Sequence, residues 1–277
     1  MNSADLQARL DFAVTAARAA GKHSLKYFQR SIAVERKGDQ SPVTIADREA
    51  EQLLREAIAA AYPADGVLGE ELGESAGSSG YRWILDPIDG TKSFISGVPL
   101  YATLVGLERD GESVLGVILI PGLDECAYAA KGKGAWYTRA GSPPSPTRVS
   151  TKTRLADGLF ITSEVKTFVE TGRKESYDRL QSAAWLTRTW GDGYGYLLVA
   201  TGRAELMVDP KMNVWDAAAV QPVIEEAGGT FTDWTGRPTI HSGEAIASNG
   251  LLQAEALALV AATDTRSGIT ACTHPYG

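Results

Sequence analysis

The sequence predicts an α/β protein whose two halves are built in different ways. In the first half, two helical stretches precede two hairpin signals. Apolar runs at 101–108 and 113–120 flank Asp110-Gly111, and runs at 125–130 and 135–138 flank Lys131-Gly132-Lys133-Gly134. In the second half, short apolar runs alternate with helical patterns, which favours an α/β arrangement. The 277 residues, 44% hydrophobic and 22% charged, suffice for a large core or two packed lobes of a globular protein.

Residues 4–29 carry Leu6, Leu10, Ala13, Val14, Ala17, Leu25 and Phe28 at roughly helical spacing, with Ser3 as a cap. This reads as one long packing helix. A short strand at 32–36 and a polar loop at 38–42 follow. Val43-Thr44-Ile45-Ala46-Asp47 then leads into a helical pattern that runs through residue 61. Thr44 and Asp47 have the spacing of a capping box with Asp in place of Glu. An acid in the first helical turn can also face a cleft, so cap and ligand are compatible readings. Residues 67–71 form a short strand ending in Glu70 and Glu71, and the Gly/Ser-rich stretch 73–80 reads as a mobile surface loop.

The stretch Trp83-Ile84-Leu85-Asp86-Pro87-Ile88-Asp89-Gly90-Thr91-Lys92 organises the rest. Its apolar start predicts a short buried strand, stopped at Pro87 and turned at Gly90. Two carboxylates and a hydroxyl then lie just beyond a strand end, where α/β proteins place ligands. Carboxylate oxygens suit Mg²⁺, and Gly90 allows an anion close to the backbone N–H groups. Solvated acids in a turn are the plainer alternative.

Residues 141–147 hold three prolines and mark a junction between a first lobe, 1–147, and a second, 148–264, before a tail at 265–277. In the second lobe strands are expected at 159–162, 185–189, 205–208, 230–233 and 244–248. Helices are expected at 165–180, 193–202, 214–227 (stopped by Gly228-Gly229) and 251–261. Asp216, at the start of the third of these helices, suits the helix dipole. It is also a further carboxylate for the same cluster.

A net charge of −7 argues against nucleic acid or an acidic membrane as the main partner. Cys126 and Cys272 make neither a disulfide framework nor a zinc site, and His23, His241 and His274 are scattered. No apolar run approaches membrane-spanning length and the N-terminus lacks a signal-peptide pattern, so the expected location is the cytoplasm.

Four motifs occur in order: Val43-Thr44-x-x-Asp47, Gly69-Glu70-Glu71, Asp86-Pro87-Ile88-Asp89-Gly90-Thr91 and Trp215-Asp216-x-Ala218-Ala219. Together they resemble the inositol-monophosphatase family of Mg²⁺-dependent, lithium-sensitive sugar-phosphate phosphatases, over residues 5 to 260. The resemblance implies a layered α-β-α-β-α sandwich of the fructose-1,6-bisphosphatase-like sugar-phosphatase type. It also implies a homodimer and two or three Mg²⁺ per subunit, with Mn²⁺ able to substitute. Glu70, Asp86 and the Ile88 carbonyl would hold one metal; Asp86, Asp89 and Asp216 a second; Glu70 and Asp47 a weaker third. Asp89 and the Gly90 and Thr91 amides would bind phosphate, and Thr91 with Asp47 and Glu70 would prepare the attacking water. No residue here is a good covalent nucleophile, which leaves direct attack by water.

Trp190-Gly191-Asp192-Gly193-Tyr194-Gly195-Tyr196 and Gly202-Arg203-Ala204-Glu205-x-x-x-Asp209-Pro210 look like the histidinol-phosphate phosphatases of that family. The implied reaction is hydrolysis of L-histidinol phosphate, a small phosphate ester and a histidine precursor. The alternative is myo-inositol monophosphate or another small sugar phosphate. Asp192, Asp209, Arg188 and Trp190 are the candidate substrate residues. A catalytically dead sensor of metal or phosphate would have lost a ligand, and none is missing.

Overall fold

The computed structural model describes residues 3–261. The predicted tail, Cys272 and His274 lie outside the described residues. The chain begins with α1 (Ser3–Ser24), a hairpin of β1 (Val34–Arg36) and β2 (Pro42–Thr44), and α2 (Ile45–Ala61). Next come β3 (Gly66–Gly69), β4 (Gly73–Ser75), β5 (Tyr81–Asp89) and the short helix α3 (Thr91–Ile95). After them come β6 (Ala102–Arg109), β7 (Glu112–Ile120), β8 (Glu125–Ala130), β9 (Ala135–Arg139) and β10 (Ser145–Pro146). The remainder runs β11 (Leu159–Ile161), α4 (Val165–Glu170), α5 (Lys174–Ala183), β12 (Leu186–Arg188), α6 (Asp192–Ala200), β13 (Leu206–Asp209), α7 (Val214–Ala218), α8 (Val220–Glu226), β14 (Thr230–Thr232), β15 (Ala245–Ser248) and α9 (Gln253–Ala261).

An eight-stranded sheet has the order β10-β9-β8-β7-β6-β5-β3-β4, antiparallel except where β3 meets β5. A five-stranded mixed sheet has the order β12-β11-β13-β15-β14. Side-chain alternation along the strands assigns the layers. Trp83, Leu85, Val105, Leu107 and Val117 pack against Leu6, Leu10, Leu54 and Ile58 of α1 and α2. The opposite face, with Ile84, Leu104 and Ile118, shares a core with α6, α7 and α8 and with Ile161, Met207 and Ala247 of the second sheet. Phe160, Leu206 and Ile246 point the other way, onto α4, α5 and α9. The order is α-β-α-β-α, as expected from the resemblance. Among the described residues, no helix is long and apolar enough to cross a membrane.

Several elements differ from the sequence reading, each for a local reason. The first helix stops at Ser24, whose hydroxyl bonds back to the Gly21 carbonyl at 2.8 Å. Residues 73–80 are not simply a loop, because β4 pairs with β3. The predicted 165–180 helix is two, separated at Gly172 with φ 72°. The predicted 214–227 helix is also two. Pro222 has no N–H for the Ala218 carbonyl, which instead accepts from Ser113 Oγ at 2.6 Å. That break rests on the large sheet where β6 and β7 carry Gly106 and Gly116; a Cβ at Gly116 would lie 1.8 Å from the Ala219 carbonyl oxygen.

The strand β5 does not stop at Pro87. It runs to Asp89 through a register shift: Asp86 pairs with Leu104 but Asp89 with Ala102, so the strand carries one extra residue. Proline is tolerated at such a bulge because no ladder N–H is required there. In a regular strand, residues 86 and 89 would face opposite sides. The bulge turns both aspartates to one side.

A buried cluster ties α1 to the large sheet. Asp65 takes an ion pair from Arg9, the Trp83 indole N–H at 2.9 Å and the Ser79 hydroxyl at 2.6 Å. The Arg9 guanidinium stacks between Tyr62 and Tyr81, 4.2 and 3.9 Å from their centroids. Asp65→Ala leaves the Trp83 indole N–H unpaired and Arg9 with only its half-exposed partner Asp5, so a urea-unfolding series should show a loss of about 1–3 kcal/mol.

Candidate active site

The site forms where the bulged end of β5 meets the N-termini of α2, α3, α6 and α7. Carboxylate oxygens of Asp86, Asp89 and Asp216 all lie within 4.8 Å of one another. Asp216 sits in the first turn of α7 and completes a capping box with Asn213, whose N–H donates to Asp216 Oδ2 at 2.6 Å. Asp89 Oδ2 accepts the Gly193 amide at 2.5 Å. Asp47 divides its two oxygens. Oδ2 takes the Thr44 N–H at 2.9 Å and the Thr44 hydroxyl at 2.6 Å, while Oδ1 takes the Thr91 hydroxyl at 3.2 Å. It is therefore a helix cap and a site residue at once. The Thr91 hydroxyl also lies 3.1 Å from the Ile88 carbonyl oxygen, so its single proton is shared between two acceptors.

The electrostatics of the cluster are those of crowded, buried carboxylates. Burial, then Glu70, Asp89 and Asp216, pushes Asp86 well above the carboxylate range. Burial, then Asp192 and Asp216, does the same for Asp89. Burial raises Asp216 to about 7, against the Asn213 amide and with Glu70 and Asp192 adding to it. Burial also raises Asp47, opposed by its bonds from Thr44. Carboxylates so close repel one another when ionised, and a hard divalent cation is the partner such an all-oxygen set fits.

A cleft of about 390 Å³ opens from this cluster, lined by Asp89, Lys92, Ser163, Glu164, Thr189, Asp192, Tyr196, Asp209, Lys211 and Asp216, among others. Asp192 has φ 53° and its N–H donates to Ser163 Oγ at 2.9 Å. Its carboxylate abuts Gly90, where a Cβ would lie 2.6 Å from Asp192 Oδ2. Gly90 itself has φ 84°, so both its backbone and its neighbour require glycine. Burial and Asp209 raise Asp192 to about 6, while Lys92 pulls it down. Asp209 is enclosed by four donors: Ser163 N (2.9 Å) and Thr162 Oγ1 (3.1 Å) on Oδ1, and Ser163 Oγ (2.9 Å) and Tyr196 OH (3.0 Å) on Oδ2.

The structure thus gathers Asp47, Glu70, Asp86, Ile88, Asp89, Gly90, Thr91, Asp192, Asp209 and Asp216 around one cleft and its floor. Arg188, at the end of β12, and Trp190, just beyond it, are both exposed and stand apart, the Arg188 guanidinium 5.7 Å from the Trp190 centroid, and neither lines the cleft. Thr189 between them does. Sequence reasoning missed Lys37, Lys92, Ser163 and Tyr196. Lys37 holds Glu70 and Glu71, and Lys92 pairs with Glu164 at the cleft wall. Lys92 and Tyr196 lie inside stretches already singled out for their acids but carry no signal of their own there, whereas Lys37 and Ser163 belong to no acidic motif and only the fold brings them to the cluster.

Known proteins resemble this chain over most of its length. The chain is 45% identical over 240 residues to a histidinol-phosphatase of Chlorobaculum parvum, covering 86% of this chain and 91% of that one. It is 39% identical to a histidinol-phosphatase of Mycobacterium tuberculosis, covering 82% and 87%. The extragenic suppressor protein suhB of Bartonella henselae superposes with a TM-score of 0.85 at 29% identity, over 92% of this chain and 98% of that one. The profile of the inositol monophosphatase family matches residues 5–265, and the chain belongs to that family.

Proposed function

We propose that this protein is a Mg²⁺-dependent phosphomonoesterase that hydrolyses L-histidinol phosphate to L-histidinol and phosphate. The observation that carries this reading is the joining of two acidic walls at one turn. Asp86, Asp89 and Asp216 converge beside the Gly90 turn, and the Asp192 carboxylate packs against Gly90 itself. Residues 1–147 act as the lobe with most of the metal ligands, and 148–264 as the lobe with Asp216 and the substrate residues.

Glu70, Asp86, Asp89, Asp216, the Ile88 carbonyl and, for a weaker site, Asp47 with Glu70 would hold two or three cations. Divalent cations at such a site supply Lewis-acid neutralisation of phosphoryl charge and acidify water. The remaining work falls to the chain. The amides of Gly90 and Thr91, at the start of α3, have no intrahelical partner and suit the phosphate oxygens. The Thr91 hydroxyl donates to Asp47, leaving its lone pairs to accept a proton from the attacking water. Asp47 Oδ1 then receives the Thr91 proton, and water attacks phosphorus in line with the departing alkoxide, which takes up a proton from solvent in the open cleft. The same family resemblance supports a cytoplasmic homodimer that is inhibited by Li⁺.

Histidinol phosphate carries a cationic amine beside its ester, whereas inositol phosphate carries only hydroxyls. Negative charge beyond the metal cluster therefore favours the former. Asp192 is the direct candidate because its carboxylate faces the cleft. Asp209, with both oxygens committed, adds charge and fixes Ser163, which in turn holds the Asp192 amide.

A charge-assisted hydrogen bond to the amine is worth about 1.5–3 kcal/mol. Asp192→Asn should then lower kcat/KM for histidinol phosphate by about ten- to a hundredfold, with a much smaller loss for glycerol 2-phosphate. Phosphate release with Mg²⁺ is the assay, with inositol 1-phosphate and fructose 1,6-bisphosphate alongside. Equal losses on the charged and uncharged esters, or a preference for inositol 1-phosphate, would remove the histidinol assignment. Full turnover in excess EDTA would remove the metal mechanism.

A further inference from the structure

The hairpin of β1 and β2 brings Lys37 to the Glu70 edge of the acidic cluster. Its ammonium lies 2.8 Å from Glu70 Oε1 and 2.5 Å from Glu71 Oε1. A carboxylate read above as a cation ligand is thus already held by a cation that belongs to the chain.

The two sides of this contact are anchored unequally. The Glu70-Glu71 turn is fixed from below. Glu71 N and Leu72 N donate to the fully buried Glu51 carboxylate at 2.8 and 3.1 Å, Arg55 neutralises that carboxylate at 2.7 Å, and Glu70 N donates to the Leu85 carbonyl at 3.2 Å. A Cβ on Gly69 would lie 2.1 Å from Glu51 Oε1, so the turn packs directly on that carboxylate.

The lysine side has no comparable support. All three residues of β1 are exposed. The tip is closed by Lys37 N to Ser41 O and Gln40 N to Lys37 O, each 2.9 Å, and Gln40 has φ 69°. The pair that ties Glu35 to Arg48 of α2 is exposed. A segment with so few buried apolar groups opens locally at small free-energy cost. Of the two partners, the lysine is the one free to move.

We propose that Lys37 is an internal competitor for Glu70: its ammonium and a divalent cation exclude one another at that carboxylate. Cation loading on the Glu70 side therefore releases the hairpin, while the Asp86–Asp89–Asp216 side loads independently of it. Lys37 is a positioning residue that sets cation affinity and the order of loading. The inference rests on the reading of Glu70 as a ligand. Reciprocity between competing ligands requires that removing the ammonium tighten the Glu70-dependent step.

The test is Mn²⁺ titration of the full, substrate-free chain, followed by electron paramagnetic resonance of the free ion and by calorimetry. Lys37→Met keeps the aliphatic stem and should tighten one binding step by roughly tenfold. Lys37→Arg keeps the charge and should titrate like the parent protein. Adding Glu70→Gln to Lys37→Met should abolish the tightened step. Hydrogen exchange supplies a readout independent of turnover. Exchange at residues 34–41 should rise on adding Mg²⁺ to the parent protein, and should already be high and Mg²⁺-insensitive in Lys37→Met. Equal affinities in parent and Lys37→Met, or a hairpin that becomes more protected on Mg²⁺ addition, would overturn the competitor role alone. A parent protein that binds no divalent cation would overturn the proposed function instead.

Discussion

Asp86→Asn should lower kcat/KM for phosphate release by about a thousandfold or more at saturating Mg²⁺, whereas Glu71→Gln should lower it by less than about tenfold. Asp86 is 2% exposed and sits among Glu70, Asp89 and Asp216, the groups that raise it after burial itself. The substitution keeps its size but removes the charge that the proposed cations share. Glu71 is a different case. Burial pushes it up to about 7, and its oxygen is occupied by Lys37, a bond that the amide oxygen of Gln retains.

The control is built into the physics. An acid whose pKa is raised by folding stabilises the fold when protonated and loses that contribution as pH rises. At neutral pH without metal, Asp86→Asn relieves repulsion, so its thermal midpoint in EDTA should be no lower than that of the parent. A loss of activity together with retained or increased stability is a site effect. If both variants keep near-parental rates with Mg²⁺ well above its Kd, the assignment of Asp86 is wrong.

The parts of this site that sequence reveals are those in which one residue does two jobs within a few positions. Thr44 and Asp47 are legible because a capping box has fixed spacing, and the structure shows the same carboxylate serving the cap with Oδ2 and Thr91 with Oδ1. Asp216 is legible as an acid at a helix start, and the structure adds that it closes a capping box with Asn213. What periodicity does not show is where an element tolerates an exception. Pro87 reads as a strand stop, yet a bulge carries the strand past it and is what turns Asp86 and Asp89 to one side. The break before Val220 depends on Ser113, more than a hundred residues away, accepting the role of donor to the Ala218 carbonyl.

Contacts across the cleft are illegible for a related reason. Lys37 with Glu70, Ser163 with Asp209 and Lys92 with Glu164 join segments that no local pattern links. Asp209 reads as an acid before a turn, but its four donors come from the two residues that follow β11 and from α6. The layer order survives these exceptions because it depends on alternation along whole strands. Strand alternation is a property of the chain itself, whereas the cleft is a property of the fold.

Thr91→Ala should lower kcat by about 10²–10⁴-fold while KM changes little. The hydroxyl lies 3.2 Å from Asp47 Oδ1 and 3.1 Å from the Ile88 carbonyl oxygen, and in the proposed mechanism it links the attacking water to Asp47. Alanine removes that link and the bond to the Ile88 carbonyl, and leaves the backbone of the turn in place. The amides of residues 90 and 91 remain for the phosphate, Gly90 keeps its left-handed conformation as the N-cap, and alanine is a good helix former for the first position of α3. Asp47 retains both bonds from Thr44, so α2 keeps its cap. Thr91→Ser restores the hydroxyl without the methyl and should recover most of the rate. Single-turnover measurement of phosphate release separates this from a change in product release. An unchanged single-turnover rate in Thr91→Ala would remove Thr91 from the water-handling pair. Equal losses in the alanine and serine variants would assign the effect to the packing of the methyl group, and the proton path from water to Asp47 would then have to bypass residue 91.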